Sequence, residues 1–342
     1  MKAARFYAPR DVRLEDVPEP EVGPGELLIE VLASDMCGTD LKTFMRGHPL
    51  IKPPITIGHE YSGVVKEAGR GAKFRRGDRI VASNSAPCMK CEMCKRGSYT
   101  LCSSITEGLV GFSVPGSYSE YLLVPRNIAE VNTYRFKRSK PEEIACSEPL
   151  ASVIHALDRV QVERGERVAI VGAGALGLMF LQLLKAKGAE VIVANRSGGR
   201  LEVASRLGAD SVIQVDDGSL ADRVRTATGG LGADVVVEAV GRKETWESAF
   251  GAARNGGRVL QFGGCASGTR VEFDAGKIHY GETSVIGSFH HEPTAFRRAV
   301  RAIESGEVKT KPLITHRVSL DEIRRGFELM ERGEALKVAV LP

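Results

Sequence analysis

Cys88, Cys91, Cys94 and Cys102 lie within fifteen residues, spaced C-x2-C-x2-C-x7-C. Four thiolates this close can fill a tetrahedral shell around one soft divalent ion, the usual form of a structural zinc site. Short loops between the ligands keep the entropy cost of closing the shell small. Disulfides are the competing use. The N-terminus carries no apolar secretion segment, and a cytosol keeps thiols reduced, so zinc is the better reading. A ferredoxin-type iron–sulfur run has a shorter third gap and a proline after its last Cys. Here the gap is seven and Ser103 follows.

A second chemistry is written in glycine. Arg167–Val171 is apolar enough for a strand and runs straight into Gly172, Gly174 and Gly177, spaced G-x-G-x-x-G, and then into a helical pattern. Strand, glycines and helix in that order make a dinucleotide-binding turn. Gly172 permits the tight turn, Gly174 lets a pyrophosphate approach the backbone, and Gly177 lets helix and sheet pack closely. The pyrophosphate would sit on the helix N-terminus, at Ala175 and Leu176, where free N–H groups and the dipole favour an anion. The end of the next strand selects the coenzyme. An NAD site places a carboxylate there; this chain has Asn195, Arg196 and Ser197. Asn195 removes the charge that would repel a 2′-phosphate. Arg196, with Arg200 as helper, can supply its countercharge. The expectation is NADP favoured over NAD; the competing reading leaves both arginines as solvated surface.

Quieter metal ligands lie in three other segments: Cys37 with Thr39 and Asp40, His59 with Glu60, and Cys146 with Glu148. Each alone is weak, because a lone Cys is usually a small buried hydrophobe and Glu-Pro often only begins a helix. Beside a four-Cys knuckle and a dinucleotide turn they form a constellation.

The elements that must position these groups divide the chain. The first third holds short β-type runs broken by Gly and Pro, such as residues 26–32, 63–67 and 79–82, which suggests an irregular, mostly antiparallel, barrel-like domain. From residue 167 to about 289, strands (167–171, 190–194, 211–214, 234–238, 258–262 and 284–287) alternate with helices (175–187, 199–207, 220–226 and 243–253). That alternation predicts right-handed crossovers and a doubly wound parallel sheet, an α/β fold. The closing elements (helix 294–305, strand 313–318, helix 320–332 and strand 337–340) are too few for a third domain and return to the first.

Composition excludes other classes. A length of 342 residues suits two domains. The 47 basic and 43 acidic residues are interspersed, without the basic–aromatic interleaving of a nucleic-acid binder. The longest apolar run, 175–184, is too short to span a bilayer. No nucleic acid or membrane partner is expected, and the cytoplasm is the expected compartment.

With Cys37-Gly38-Thr39-Asp40, Gly58-His59-Glu60, the four-Cys lobe, residues 116–121, Glu148-Pro149-Leu150, the nucleotide turn and the closing Lys337–Val340, the whole chain resembles the zinc-dependent medium-chain alcohol dehydrogenase superfamily. Its Glu-Pro-Leu segment looks most like the polyol branch of sorbitol- and threonine-dehydrogenase-like enzymes. The resemblance implies a GroES-like catalytic domain at 1–148 with 288–342 returning to it, a Rossmann coenzyme domain at 149–287, and an active-site cleft between them. It implies a catalytic zinc on Cys37, His59 and either Glu60 or Glu148, besides the structural zinc. It also implies Asp40 orienting His59 and Thr39 relaying the hydroxyl proton. Two departures stand out. Many relatives carry a relay His where this chain has Lys42, so Lys42, His48, or ribose and water would complete the relay. The Arg-Tyr pair of sorbitol-type relatives is replaced by Phe289, His290 and His291; His290 could bond hydroxyls, or both histidines could merely pack. Phe112 would line the substrate pocket or the core. The implied activity is oxidation of a polyol or sugar-like secondary alcohol to a ketone, in a homodimer or homotetramer. The alternatives are an amino alcohol such as threonine, a zinc-free quinone reductase, or a zinc-stabilised nucleic-acid module.

Overall fold

The structure, a computed structural model, describes residues 1–215 and 219–342. It contains two compact units, one of residues 1–152 with 291–342 and one of 153–290.

The second unit is built on a parallel sheet of six strands in the order Ser211–Gln214, Glu190–Asn195, Arg167–Val171, Ala233–Glu238, Ala253–Gln261 and Ser284–Gly287. Its central strands are apolar on both faces because helices cover both. Val168, Ile170, Val191, Val193, Val235 and Val237 are all fully buried. In register, Val168 stands between Val191 and Val235. Ala175–Ala186 is buried from Gly177 to Leu181, as expected of a helix opening the coenzyme turn against the sheet. The strand ending at Gln261 begins at Ala253, five residues before the sequence suggests. Asn255, Gly256 and Gly257 read as a turn, and Gly256 has φ 68°. The backbone nevertheless pairs Ala253 with Ala233 and resumes pairing at Arg258, across a register shift.

The first unit holds a seven-stranded sheet and a small sheet in which Lys2–Ala8 pairs with Asp11–Asp16 and Ile55–Thr56. Leu27–Asp35 is the organising strand. It pairs antiparallel with Glu60–Ala68, Tyr121–Val124 and Lys337–Leu341. At its end, Asp35 stands opposite both Glu60 and Ala339. That single register position brings the residues after Asp35, those before Glu60 and those before Ala339 to one end of the sheet. One apolar core there gathers Met36, Phe44, Ile57, Phe112, Tyr118 and Phe327. A second gathers Leu27, Ile29, Tyr61, Val65 and Ile80. The last strand is parallel to Ile314–Ser319, so the C-terminal segment is part of the same sheet. Among the described residues, no helix is long and apolar enough to cross a membrane.

Candidate active site

Helix Gly38–Arg46 starts directly after the organising strand, with Cys37 as its N-cap. Asp40, three residues on, accepts the Cys37 backbone N–H through Oδ2 (2.9 Å). The other Asp40 oxygen meets His59 Nδ1 at 3.1 Å, leaving Nε2 as the ligand nitrogen. The Tyr118 hydroxyl donates to Asp40 Oδ2 at 2.8 Å. Burial alone would raise the Asp40 carboxyl, but His59 and the Cys37 and Tyr118 donors outweigh it and hold it below the usual range. Gly58 is required by the same packing. Its φ is 95°, and a Cβ there would lie 2.7 Å from the Tyr118 ring.

Cys37, His59 and Glu60 each present one ligand atom within 4.8 Å of the other two. Burial should lower the His59 pKa, yet Asp40 and Cys37 raise it well above the ordinary value. The cage is therefore electronegative and suits a cation. Glu60 is fully buried and pairs with the equally buried Lys337 through Oε2, while Oε1 has no hydrogen-bond partner. A buried carboxylate oxygen left so is costly unless something polar or cationic meets it. Two soft or borderline donors and a carboxylate, with one position to spare, fit zinc of the catalytic kind.

Glu148 is not in that triangle. It starts helix Ser147–Val160, with Oε1 3.5 Å from Nε2 of the buried His291. Cys146 is not in it either. Its thiol donates to Asp35 Oδ2 at 3.1 Å, and burial and then Asp35 push it well above the usual thiol range. Burial lifts Asp35 itself to about 8, against the pull of Lys337.

Phe112 belongs to the apolar core and also packs on His59, ring centres 5.2 Å apart. His48 meets Phe112 edge-on at 5.1 Å. Thr39 is half-buried in the first helical turn and Lys42 is exposed on the second. His290, in the second unit, is half-buried beside Phe289 with φ 58°.

The four-Cys lobe is closed and local. Cys88 and Cys94 sulfurs are 4.0 Å apart, Cys91 and Cys102 3.8 Å. Sulfurs on a tetrahedral zinc, with Zn–S of about 2.3 Å, stand about 3.8 Å apart. Backbone N–H groups of Cys94 and Ser103 lower Cys91 to about 6, favouring the thiolate.

In the second unit the glycine turn is formed. A Cβ on Gly177 would lie 1.9 Å from the Gly172 carbonyl oxygen, so only glycine lets the helix start this close to the strand. A Cβ on Gly174 would meet no protein atom within 4 Å, which leaves the open cradle a pyrophosphate needs. Ala175 and Leu176 begin the helix above it. Asn195 Oδ1 accepts the Ala173 N–H at 3.3 Å, and its amide donates to the Ser197 carbonyl at 3.3 Å. Arg196 is exposed and Arg200 half-buried on the following segment. Sequence reasoning missed Glu238. It ends the neighbouring strand, and its Oε1 accepts from Val240 N–H (2.9 Å), Gly241 N–H (2.8 Å) and the Thr245 hydroxyl (2.7 Å). An acid closing a buried parallel strand was its only signal.

A Rossmann unit with an open cradle, and a mostly antiparallel unit with one closed and one open metal centre, define a metal-assisted dehydrogenase. Residues 175–305 match the family described as zinc-binding dehydrogenase, and residues 23–132 the alcohol dehydrogenase GroES-like domain. The sorbitol dehydrogenase of Bacillus subtilis strain 168 is 31% identical, over 100% of this chain and 97% of its own length. The L-threonine 3-dehydrogenase of Bacillus licheniformis is 31% identical over 96% of this chain and 94% of its own. A protein of Sinorhizobium meliloti 1021, described as a zinc-binding dehydrogenase and solved bound to NADP, superposes with a TM-score of 0.91. It is 32% identical, covering 100% of this chain and 99% of that one. The chain belongs to the zinc-containing medium-chain dehydrogenase superfamily, and it is a zinc- and NAD(P)-dependent dehydrogenase.

Proposed function

We propose that the chain oxidises a polyol or sugar-like secondary alcohol to the ketone, with NADP preferred over NAD. The observation that carries the reading is the Cys37–His59–Glu60 triangle, with Asp40 behind the imidazole. Cys37 and His59 bind the catalytic zinc, with Glu60 or Glu148 third. Zinc there supplies Lewis acidity that eases loss of the alcohol proton. Asp40 fixes the His59 tautomer. Thr39, two residues after Cys37, takes the hydroxyl proton and passes it outward by way of Lys42, His48, or ribose and water. Phe112 and His290 contact the substrate. The four cysteines of the lobe hold the structural zinc and take no part in the chemistry. In the second unit Gly172, Gly174 and Gly177, with the N–H groups of Ala175 and Leu176, receive the pyrophosphate. Asn195, Arg196 and Arg200 receive the adenosine ribose and its 2′-phosphate.

The catalytic role falls to residues 1–148 and 288–342 and the coenzyme role to 149–287. Sorbitol dehydrogenase among the relatives supports a polyol; L-threonine 3-dehydrogenase at the same identity keeps an amino alcohol as the second reading. Cytoplasmic residence suits a chain whose thiols are kept for metal. A homodimer or homotetramer is the expected assembly, with the edge strand Ser284–Gly287 available for pairing.

The test is a panel of polyols, sugars, their phosphates and threonine, read by reduced-coenzyme absorbance with NADP and NAD in parallel. Turnover confined to threonine replaces the substrate reading. A higher kcat/KM with NAD than with NADP removes the coenzyme preference.

A further inference from the structure

Two buried carboxylates, Glu60 and Glu148, lie close enough to repel one another, and each has a buried partner. Glu60 is held by Lys337. Glu148 is held by His291, whose side chain is 0% exposed. Two contacts not involving the carboxylate keep the imidazole in place. Nε2 lies 3.1 Å from Ser83 Oγ. The ring stacks on Phe296, centres 5.6 Å apart at 25°. Ser83 is itself pinned, because its oxygen takes the Ser85 N–H at 3.3 Å and its carbonyl takes the Tyr61 hydroxyl at 3.1 Å. Ser83 directly follows Ala82, which pairs with Tyr61 beside Glu60. The ring is thus anchored to the sheet that carries Glu60, and it reaches Glu148 at 3.5 Å, a long and releasable contact.

We propose that His291, propped by Ser83, is a positioning residue that holds Glu148 off the Cys37–His59–Glu60 triangle. The fourth metal position is thereby kept for substrate. This rests on the zinc reading of that triangle. A buried carboxylate without a partner moves to the nearest positive charge. Removing the imidazole N–H should therefore send Glu148 to the metal and close the position an alcohol needs. His291 touches neither metal nor substrate in this scheme; it acts through Glu148.

Cobalt(II) exchanged into the triangle, with zinc kept on the four cysteines, reports its ligand set through its visible absorption. His291→Leu is expected to shift that absorption as a carboxylate takes the open position, and to raise the alcohol KM by about tenfold, within the range for supporting groups of metal sites. His291→Gln keeps an N–H near the place of Nε2 and is expected to keep the wild-type spectrum. Glu148→Gln added to His291→Leu is expected to restore it. A folded, cobalt-loaded His291→Leu protein with the wild-type spectrum overturns the latch. If that variant does not fold, Ser83→Ala, which loosens the same ring, is expected to shift the absorption in the same direction, and an unchanged spectrum overturns the proposal there. Wild-type protein that takes no cobalt at the triangle overturns the zinc reading and the latch with it; an unchanged variant spectrum overturns the latch alone.

Discussion

The two metal centres of the first unit are built in opposite ways. The four-Cys lobe draws all its ligands from residues 88–102 and owes little to the rest of the fold. The Cys37–His59–Glu60 triangle is assembled from a strand end, a loop and a neighbouring strand start, brought together by the pairing of Asp35 with Glu60. The lobe gathers four cysteine sulfurs and the backbone N–H groups that donate to them from its own loop. The triangle leans on Asp40, Tyr118 and Lys337, which lie 3 to 277 residues away in sequence from the groups they support. A site that must stay open for a substrate cannot satisfy itself, so its support comes from the core.

That contrast can be broken by mutation. Cys37→Ser is expected to lose the catalytic zinc while the lobe keeps its own. Turnover should fall about a thousandfold, from several kcal/mol of lost charge stabilisation. Metal analysis beside kinetics checks this, and a variant that also loses the lobe zinc would erase the distinction. Cys94→Ser should do the reverse. The lobe zinc goes and Tm drops by on the order of 10 °C, because binding energy at a structural zinc is folding energy, while the protein left folded at low temperature keeps most of its kcat. Asp40→Asn should weaken zinc at the triangle by roughly 10- to 100-fold, read by competition with a chelator, with the lobe zinc unmoved. Gly58→Ala forces a Cβ onto the Tyr118 ring at a positive φ, for an expected loss of about 1–3 kcal/mol, measured by denaturant titration. Tyr118→Phe is the mildest, costing Asp40 one donor, about 1 kcal/mol. The chelator competition should then shift only a few-fold.

The same contrast explains what was legible in the sequence. The lobe could be read outright because its chemistry is local spacing. Parallel strands could be read because they are short apolar runs between breaks, buried at Arg167–Val171 and at the sheet edges at Ser211–Gln214 and Ser284–Gly287, and these three begin and end where the pattern suggests. The strand from Ala253 was cut short because its glycines imitate a turn. Cys37, His59 and Glu60 were suspected only through their neighbours in a family pattern, since no period or spacing links residues 37, 59 and 60. Lys337 and Tyr118 appeared only as letters inside longer motifs. Their roles depend on strand register and on a buried hydroxyl, which a single sequence does not display. The sequence leaves Glu60 and Glu148 as alternative third ligands; the structure brings Glu60 to Cys37 and His59 and sets Glu148 3.5 Å from His291 Nε2.

Tyr118 carries one more consequence. Its ring stands edge-on to Phe327, centres 6.4 Å apart, and Phe327 stacks face to face on Phe44 at 4.5 Å. Phe327 belongs to the helix Ile323–Glu331, close to the C-terminus, and Phe44 to the helix capped by Cys37. An aromatic column therefore joins the tail of the chain to the carboxylate behind the catalytic imidazole. Warming that loosens the tail helix would be felt as a change in how tightly the enzyme grips its metal, well before the chain unfolds. Heat inactivation and loss of zinc would then be one event seen from two ends.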